Sequence, residues 1–347
     1  MIRTFDIAEL ARAPACHFVV RADFAVKPGG DVDLANQLSR EAHAAGAAVR
    51  VVPVKDLGPV GSDDLLFLFN IDRPADAVAA LDRVPANTRA FLYTLHHPRE
   101  GVARYLRSGL SGARGAIARM SGGDVRRYEA LVDIAKGAAQ FDGSRIVAAI
   151  GRDRVVRRLL DRCELLVVSP AELTQIEQTF GIPAHGAALL PHPVAAVAAP
   201  VGHLPFRYAL IAGRIEPRKN QLAAIEALAA IGFKARGIET AVVGGAGSDA
   251  GYFHAVVDAC LASGAFYVTH LPKQLFFPVV SSAAVVLNPS FFEVTSLIDL
   301  YAIQAEIPLV TTRYSYYPST TGVEAIDPDA WTSNRPAIAA ALDRLLV

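Results

Sequence analysis

The chain has 347 residues, 52% hydrophobic and 20% charged, with a formal net charge of zero; this is globular composition, too long for one ordinary core and suited to two domains. Three cysteines, Cys16, Cys163 and Cys260, are far apart, odd in number and in no metal-ligand spacing, which suggests neither a disulfide framework nor a zinc site and fits a reducing cytoplasm. The amino terminus, MIRTFDIAELARAP, lacks the apolar core of a signal peptide, and no apolar run approaches the roughly 20 residues of a membrane span, so a cytoplasmic protein, soluble or peripheral at the membrane, is expected.

Strand-like apolar runs alternate with helical periodicity almost from end to end. HFVVRADFA is followed by the helical DVDLANQLSREAHAAG, then AAVRVVPV, DLLFLFNI, a short helix at ADAVAALDRV, and TRAFLYTL. This βαβ patterning predicts a parallel sheet covered by helices on both faces. A helical, Arg-rich stretch then intervenes: Arg99 to Arg162 holds 14 Arg and Lys against 7 Asp and Glu, so it carries +7 and the remainder −7. Such asymmetry suits either a solvated helix face or an anionic surface or ligand, and it lacks the aromatic interleaving of a nucleic-acid platform. CELLVVS, PAELTQIEQTFG and GAALLP resume the alternation, and PHPVAAVAAPVGHLP reads as a linker. A second series follows: RYALIAG, NQLAAIEALAAIG, ETAVVGG, GYFHAVVDACLASG, FYVTHLP, KQLFFPVVSS, AAVVLNPS, SLIDLYAIQ and IPLVTT. The expected architecture is two tandem Rossmann-like, doubly wound α/β domains, 1–195 and 196–347, whose strand ends face a cleft; ligands of such sheets bind beyond those ends.

Three strand ends carry chemistry. In YALIAGRIEPRKNQ a strand runs out at Gly213, and Arg214 and Lys219 precede a helix; backbone N–H groups, the helix dipole and fixed positive charge make an anion site there. In NPSFFEVTSLIDL the turn FFEVTS joins strand to helix, so free N–H groups at Thr295, Ser296 and Leu297 suit a phosphate. Glu293 beside them is a poor partner for phosphate but a good acceptor for sugar hydroxyls; alternatively it is an acid stabilised by the helix dipole. In FAVKPGGDVDLANQL the pair Gly29 and Gly30 lets backbone approach a ligand, although neither a GxGxxG fingerprint nor a Walker loop is present.

YALIAGRIEPRKNQLAAIEAL, TAVVGGAG, YVTHLPKQLFFPVVSSAAVVLNPSFFEVTSLIDLYAIQAEIPLVTT and CELLVVSPAELTQIEQTFGIP resemble the corresponding segments of family 4 retaining glycosyltransferases of GT-B fold. The resemblance spans the chain and is strongest from about Cys163 to Thr312. It implies that Arg214 and Lys219 hold the diphosphate of a nucleotide-sugar donor and that Glu293 contacts the sugar. It also implies that Gly29, Gly30 and a histidine after AFLYTL, His96 or His97, line the cleft. Gly213, Gly244, Leu271, Val294, Thr295, Ser296, Leu297 and Tyr301 fall among its substrate-binding positions. The sequence departs from the family at Tyr301, where members commonly carry a ribose-binding glutamate, at Val294 and Ser296, where glycines are usual, and at His192 and Pro193, where PNGV reads PHPV.

With those assignments, the charge that develops on the departing phosphate is met by Arg214, Lys219 and the N–H groups of 295–297. No Asp-x-Asp motif lies at the ends of the strands RYALIAG or AAVVLNPS, so no metal or other cofactor is expected and activity should be metal-independent. Retention follows from the resemblance, and without a convincing carboxylate nucleophile the expected course is front-face attack by the acceptor. The implied activity is hexosyl transfer from a nucleoside-diphosphate sugar to a saccharide or lipid-linked acceptor in bacterial surface polysaccharide or glycoconjugate synthesis. The Arg-rich segment 99–162 would then touch an anionic membrane surface or a lipid-diphosphate acceptor. Two other readings share the architecture, a sugar-nucleotide epimerase and a non-catalytic nucleotide-binding partner subunit. A phosphorylase would need a lysine for pyridoxal phosphate, and none has a clear cofactor context.

Overall fold

The computed structural model describes residues 2–21, 30–108, 110, 112–139, 141–181, 186–193, 206–269, 271–316 and 320–346. Most of the linker, 194–205, and Gly29 of the glycine turn lie outside these residues. Two compact units are present, Met1–Arg99 with Ser111–Pro193, and Glu100–Leu110 with Val194–Val347.

The first unit is built on a parallel sheet of seven strands: β1 (Arg3–Thr4), β2 (Cys16–Val20), β3 (Val49–Pro53), β4 (Leu65–Phe69), β5 (Arg89–Tyr93), β6 (Glu164–Val167) and β7 (Ala188–Leu189). Their order is β1-β7-β6-β5-β4-β2-β3, every pairing parallel. Its strands read as continuous apolar runs because both faces are covered. Alternate side chains go to opposite faces. Phe18, Phe67 and Phe91 are cross-strand partners on one face, with ring centroids 4.5 and 5.9 Å apart. Val19, Leu66, Leu68, Ala90, Leu92 and Leu165 form the core on the other.

The second unit carries a parallel sheet of six: β8 (Arg207–Ala212), β9 (Ile238–Val243), β10 (Phe266–Val268), β11 (Val285–Leu287), β12 (Leu309–Thr312) and β13 (Val323–Ile326). Ala209 and Ile211 of β8 pack in one core, Tyr208, Leu210 and Ala212 in the other. The order β10-β9-β8-β11-β12-β13 means that the chain winds outward from β8 to one edge, then returns to β11 and winds to the other. The gap between the ends of β8 and β11 is therefore the topological switch point, the place where open α/β sheets receive ligands.

One helix departs from its sequence neighbours. Arg99–Arg107 follows the first unit's β5 and its loop, yet Glu100–Leu110 belongs to the second unit. There Gly101 lies so close to the turn 291–293 that an added Cβ would stand 2.6 Å from Phe292 Cβ and 2.8 Å from the Phe291 carbonyl. Tyr105 packs on Phe291 and Phe292 at 5.5 and 6.1 Å, and the Tyr314 hydroxyl donates to Glu100 at 2.9 Å. Cys16, Cys163 and Cys260 are buried free thiols. No helix among the described residues is long and apolar enough to cross a membrane.

Candidate functional site

At the end of β8, Gly213 has φ +138°, a conformation that L side chains rarely adopt. Its carbonyl is pressed against Gly244 at the end of β9, where a Cβ would lie 1.9 Å from that oxygen. Two glycines are thus required so that two strand ends can pinch together. The chain then enters a 3-10 turn, Pro217–Lys219, and a helix, Gln221–Ala230. This turn returns Lys219 over the strand end, its Nζ 3.9 Å from where a Gly213 Cβ would be.

The end of β11 supplies the counter-charge. Lys219 Nζ donates to Glu293 Oε1 at 2.6 Å, and Arg218 Nη1 stands 3.3 Å from the same oxygen. A backbone bond ties the two loops, Phe291 N–H donating to the Arg218 carbonyl at 2.9 Å, and Glu293 N–H donates to the Tyr314 carbonyl, beyond β12, at 2.8 Å. Arg218 also donates to the Phe292 carbonyl and to Glu216. Burial would push the Glu293 carboxyl up, but Lys219 and Arg218 overwhelm it and hold it down to about 2. Glu293 is therefore a buried, ionised acid.

Behind it lies a second acid, which sequence reasoning missed. Asp299 is fully buried and accepts from Asn288 at 2.8 Å, Ser296 at 3.0 Å and Thr311 at 2.6 Å. Burial, and the Glu293 charge to a lesser extent, outweigh these bonds and raise its carboxyl to about 7. The signal was Ser296-x-x-Asp299, a capping-box spacing at the start of the helix Leu297–Gln304. In the structure the two side chains bond to each other, and the N-cap Ser296 gives its helix no side-chain cap. The first-turn N–H groups at Ser296, Leu297 and beyond thus stand at the switch point. The buried Thr295 hydroxyl has no hydrogen-bond partner among the described residues.

Lys219, Glu293, Gly213, Gly244 and Thr295–Leu297 are therefore gathered at one end of one sheet. Val294 is buried, and Leu271 packs against the core beneath. Arg214 is exposed, and its carbonyl accepts from Gln221 at 2.8 Å; the guanidinium on Glu293 is that of Arg218, which the family spacing did not single out. Tyr301 packs edge-on against Phe276 and Phe277, each at 5.8 Å, as part of an aromatic cluster.

The first unit separates the two candidate histidines. Leu95 has φ +47°, unusual outside glycine, and turns the chain sharply at the end of β5. His96 is wholly buried, with Nδ1 2.8 Å from Asp72 and Nε2 3.2 Å from Thr179. Both ring nitrogens are engaged inside the protein, so the expectation that His96 lines an accessible site is corrected. His97 is about one-third exposed, its backbone N–H and Nδ1 at 2.8 and 2.7 Å from Asp72. Burial opposes ionisation of Asp72, yet His96 and Arg99 hold its carboxyl well below the usual range. Asp72 was not singled out from sequence; it follows β4 and Asn70, whose φ is +72°. Glu172 braces the same loop, accepting from the Thr94 hydroxyl at 2.6 Å and from the N–H groups of His96 and Val168, each at 2.7 Å. Burial pushes it up to about 7 against those bonds.

Part of the positive charge of segment 99–162 is internal. Arg99 pairs with Glu129 and Asp72, and buried Arg152 with Glu129 and Asp133. Gly30 opens the helix Gly30–Ala44, while Gly29 lies outside the described residues. Among the described residues no group of three or more His, Cys, Asp or Glu could hold a metal ion.

No protein-family model matches the chain, and no curated protein does. Solved structures do. Sucrose-phosphate synthase from Thermosynechococcus elongatus superposes with TM-score 0.64 at 14% identity, over 96% of this chain and 89% of that one. HepE of Anabaena in complex with UDP gives 0.58 at 12%, over 95% and 90%. A UDP-forming α,α-trehalose-phosphate synthase from Burkholderia xenovorans, in complex with glucose-6-phosphate, gives 0.53 at 11%, over 83% and 66%. The fold is the GT-B architecture that these glycosyltransferases share.

Proposed function

We propose that the chain is a retaining glycosyltransferase of the family 4 type, and that the switch point of its second unit holds a nucleoside-diphosphate sugar. The observation that carries this reading is the Lys219–Glu293 pair over Gly213: a cation and an acid side by side at the topological switch point of the second unit's sheet. The diphosphate lies against Lys219, Arg214 and the N–H groups at 295–297, where the partnerless Thr295 hydroxyl adds a donor. Glu293, kept ionised by two cations, orients hexose hydroxyls. Positive charge fixed beforehand at the leaving phosphate stabilises the transition state more than the ground state. The acceptor, a saccharide or a lipid-linked saccharide of surface polysaccharide or glycoconjugate synthesis, attacks on the face the nucleotide leaves. His97, aimed by Asp72, is the first unit's candidate to bond sugar or acceptor. The fold neighbours crystallised with UDP, and the one described as UDP-forming, support a uridine nucleotide as the first donor to try.

Protein cations take the part of a divalent ion in this scheme, so EDTA should leave transfer largely intact; strict dependence on magnesium or manganese contradicts it. The test of the reading is a thermal-shift screen of nucleoside diphosphates and their sugars, followed by transfer assays with the best of them, since a ligand of the native state raises its stability by mass action. A second reading rests on Tyr301, whose aromatic packing replaces a carboxylate: a nucleotide-binding subunit without catalysis. Binding with no turnover on any acceptor selects it.

A further inference from the structure

A second charged site lies in the first unit, away from the ends of β4 and β5 that carry Asp72 and His97. The helix Arg152–Arg162 leads into the amino end of β6, and residues 82–88 lead into the amino end of β5. Between them is a hollow of about 650 Å³ lined by Arg154, Arg157, Arg158 and Arg162 on one side and by Leu81 and Val84 on the other.

Arg154, Arg158 and Arg162 are four residues apart and Arg157 stands three after Arg154, so the four share one side of the helix, while Val156 and Leu159 turn inward to the core. Arg162 donates to the Thr88 carbonyl, which fixes the floor of the hollow. Arg158 is paired with Asp82 at 2.7 Å. Arg154 and Arg157 are exposed and make no ion pair among the described residues, and Asp161 is the remaining acid of the lining. Like charges three and four residues apart on a helix repel. Placing them around a concave surface raises that repulsion, and an anion between the guanidinium forks removes it.

We propose that this hollow binds a phosphate or diphosphate group, as a site distinct from the switch point of the second unit. The group belongs either to a soluble phosphate ester or to a lipid headgroup; the neighbouring helix Gly143–Ile150 exposes Val147 and Ile150, which suits a membrane source.

The experiment is calorimetric titration of the full chain with pyrophosphate, using Lys219→Ala as the background so that binding at the switch point is weakened. Arg154→Ala/Arg157→Ala in that background should bind pyrophosphate about tenfold more weakly or worse, the scale of losing one or two charge-assisted contacts. Arg154→Lys/Arg157→Lys should fall between, since charge is kept and the fork is lost. An unchanged melting temperature in each variant separates loss of the site from loss of fold. Co-sedimentation with phosphatidylglycerol vesicles, against neutral ones, distinguishes the sources: capture that the double alanine variant abolishes points to a headgroup, and pyrophosphate binding without capture to a soluble ester. Equal pyrophosphate affinity in the double alanine variant, or no binding in the Lys219→Ala chain, overturns the proposal. Neither result bears on nucleotide binding at Lys219, which wild-type titration with UDP reads separately.

Discussion

Glu293 combines two demands that a surface acid does not meet: it is buried, and it is ionised. Its carboxyl stands near 2 in the folded chain against an ordinary 4.5, so the stabilisation it contributes is complete above the ordinary value and disappears as pH falls towards 2. Glu293→Gln keeps the shape and removes the charge. It should leave affinity for a free nucleoside diphosphate nearly unchanged while weakening the intact sugar nucleotide and slowing transfer; calorimetry on both ligands reads the difference, and equal loss for both counts against a sugar-orienting role. Asp299 works in the opposite sense. With its carboxyl raised from 3.8 to about 7, the folded chain keeps a proton that the unfolded chain gives up across that window, so stability falls as pH rises through it. Asp299→Asn should flatten that part of the profile, leaving the share due to Glu172, and denaturation midpoints measured across the window check it. Lys219, Glu293 and Gly213 were legible as strand-end residues because their type and their place after an apolar run mark them in the sequence. Asp72, Asp299 and Arg218 were not, because their importance comes from burial and from partners distant in sequence. His96 and His97 are adjacent and identical, and only the turn at Leu95 decides which of them is enclosed.

At the scale of elements, the site depends on backbone packing as much as on charge. Gly244 admits no side chain, because its Cβ would meet the Gly213 carbonyl at 1.9 Å. The helix Arg99–Arg107 presses Gly101 against the turn that carries Glu293. Gly101→Ala must push helix and turn apart, costing about 1–3 kcal/mol as an overpacked contact. Sugar-nucleotide affinity should fall with it, because Glu293 moves with the turn; denaturant unfolding and calorimetry on the same variant test both effects. The helical character of segment 99–162 was legible in the sequence, but the partner of this helix was not. Periodicity identifies an apolar face without saying which core receives it, and here the receiving turn lies nearly two hundred residues further along the chain.

At the scale of the molecule, the alternation of apolar runs and helical periodicity was sufficient to specify two parallel sheets, since strands buried on both faces leave continuous apolar runs. The reversal of winding between β8 and β11 then places the candidate site without reference to any side chain, and Lys219 and Glu293 stand there. The central claim is that this switch point carries a nucleotide sugar through transfer. Its most direct measurement is the rate of hexosyl transfer, with the donor found by thermal shift, in the wild type and in Lys219→Ala. Lys219→Ala should lose the equivalent of about 2–4 kcal/mol of transition-state stabilisation, the scale of removing one preorganised donor, with the fold retained because Arg218 still neutralises Glu293. Transfer by the folded Lys219→Ala variant at the wild-type rate would contradict it.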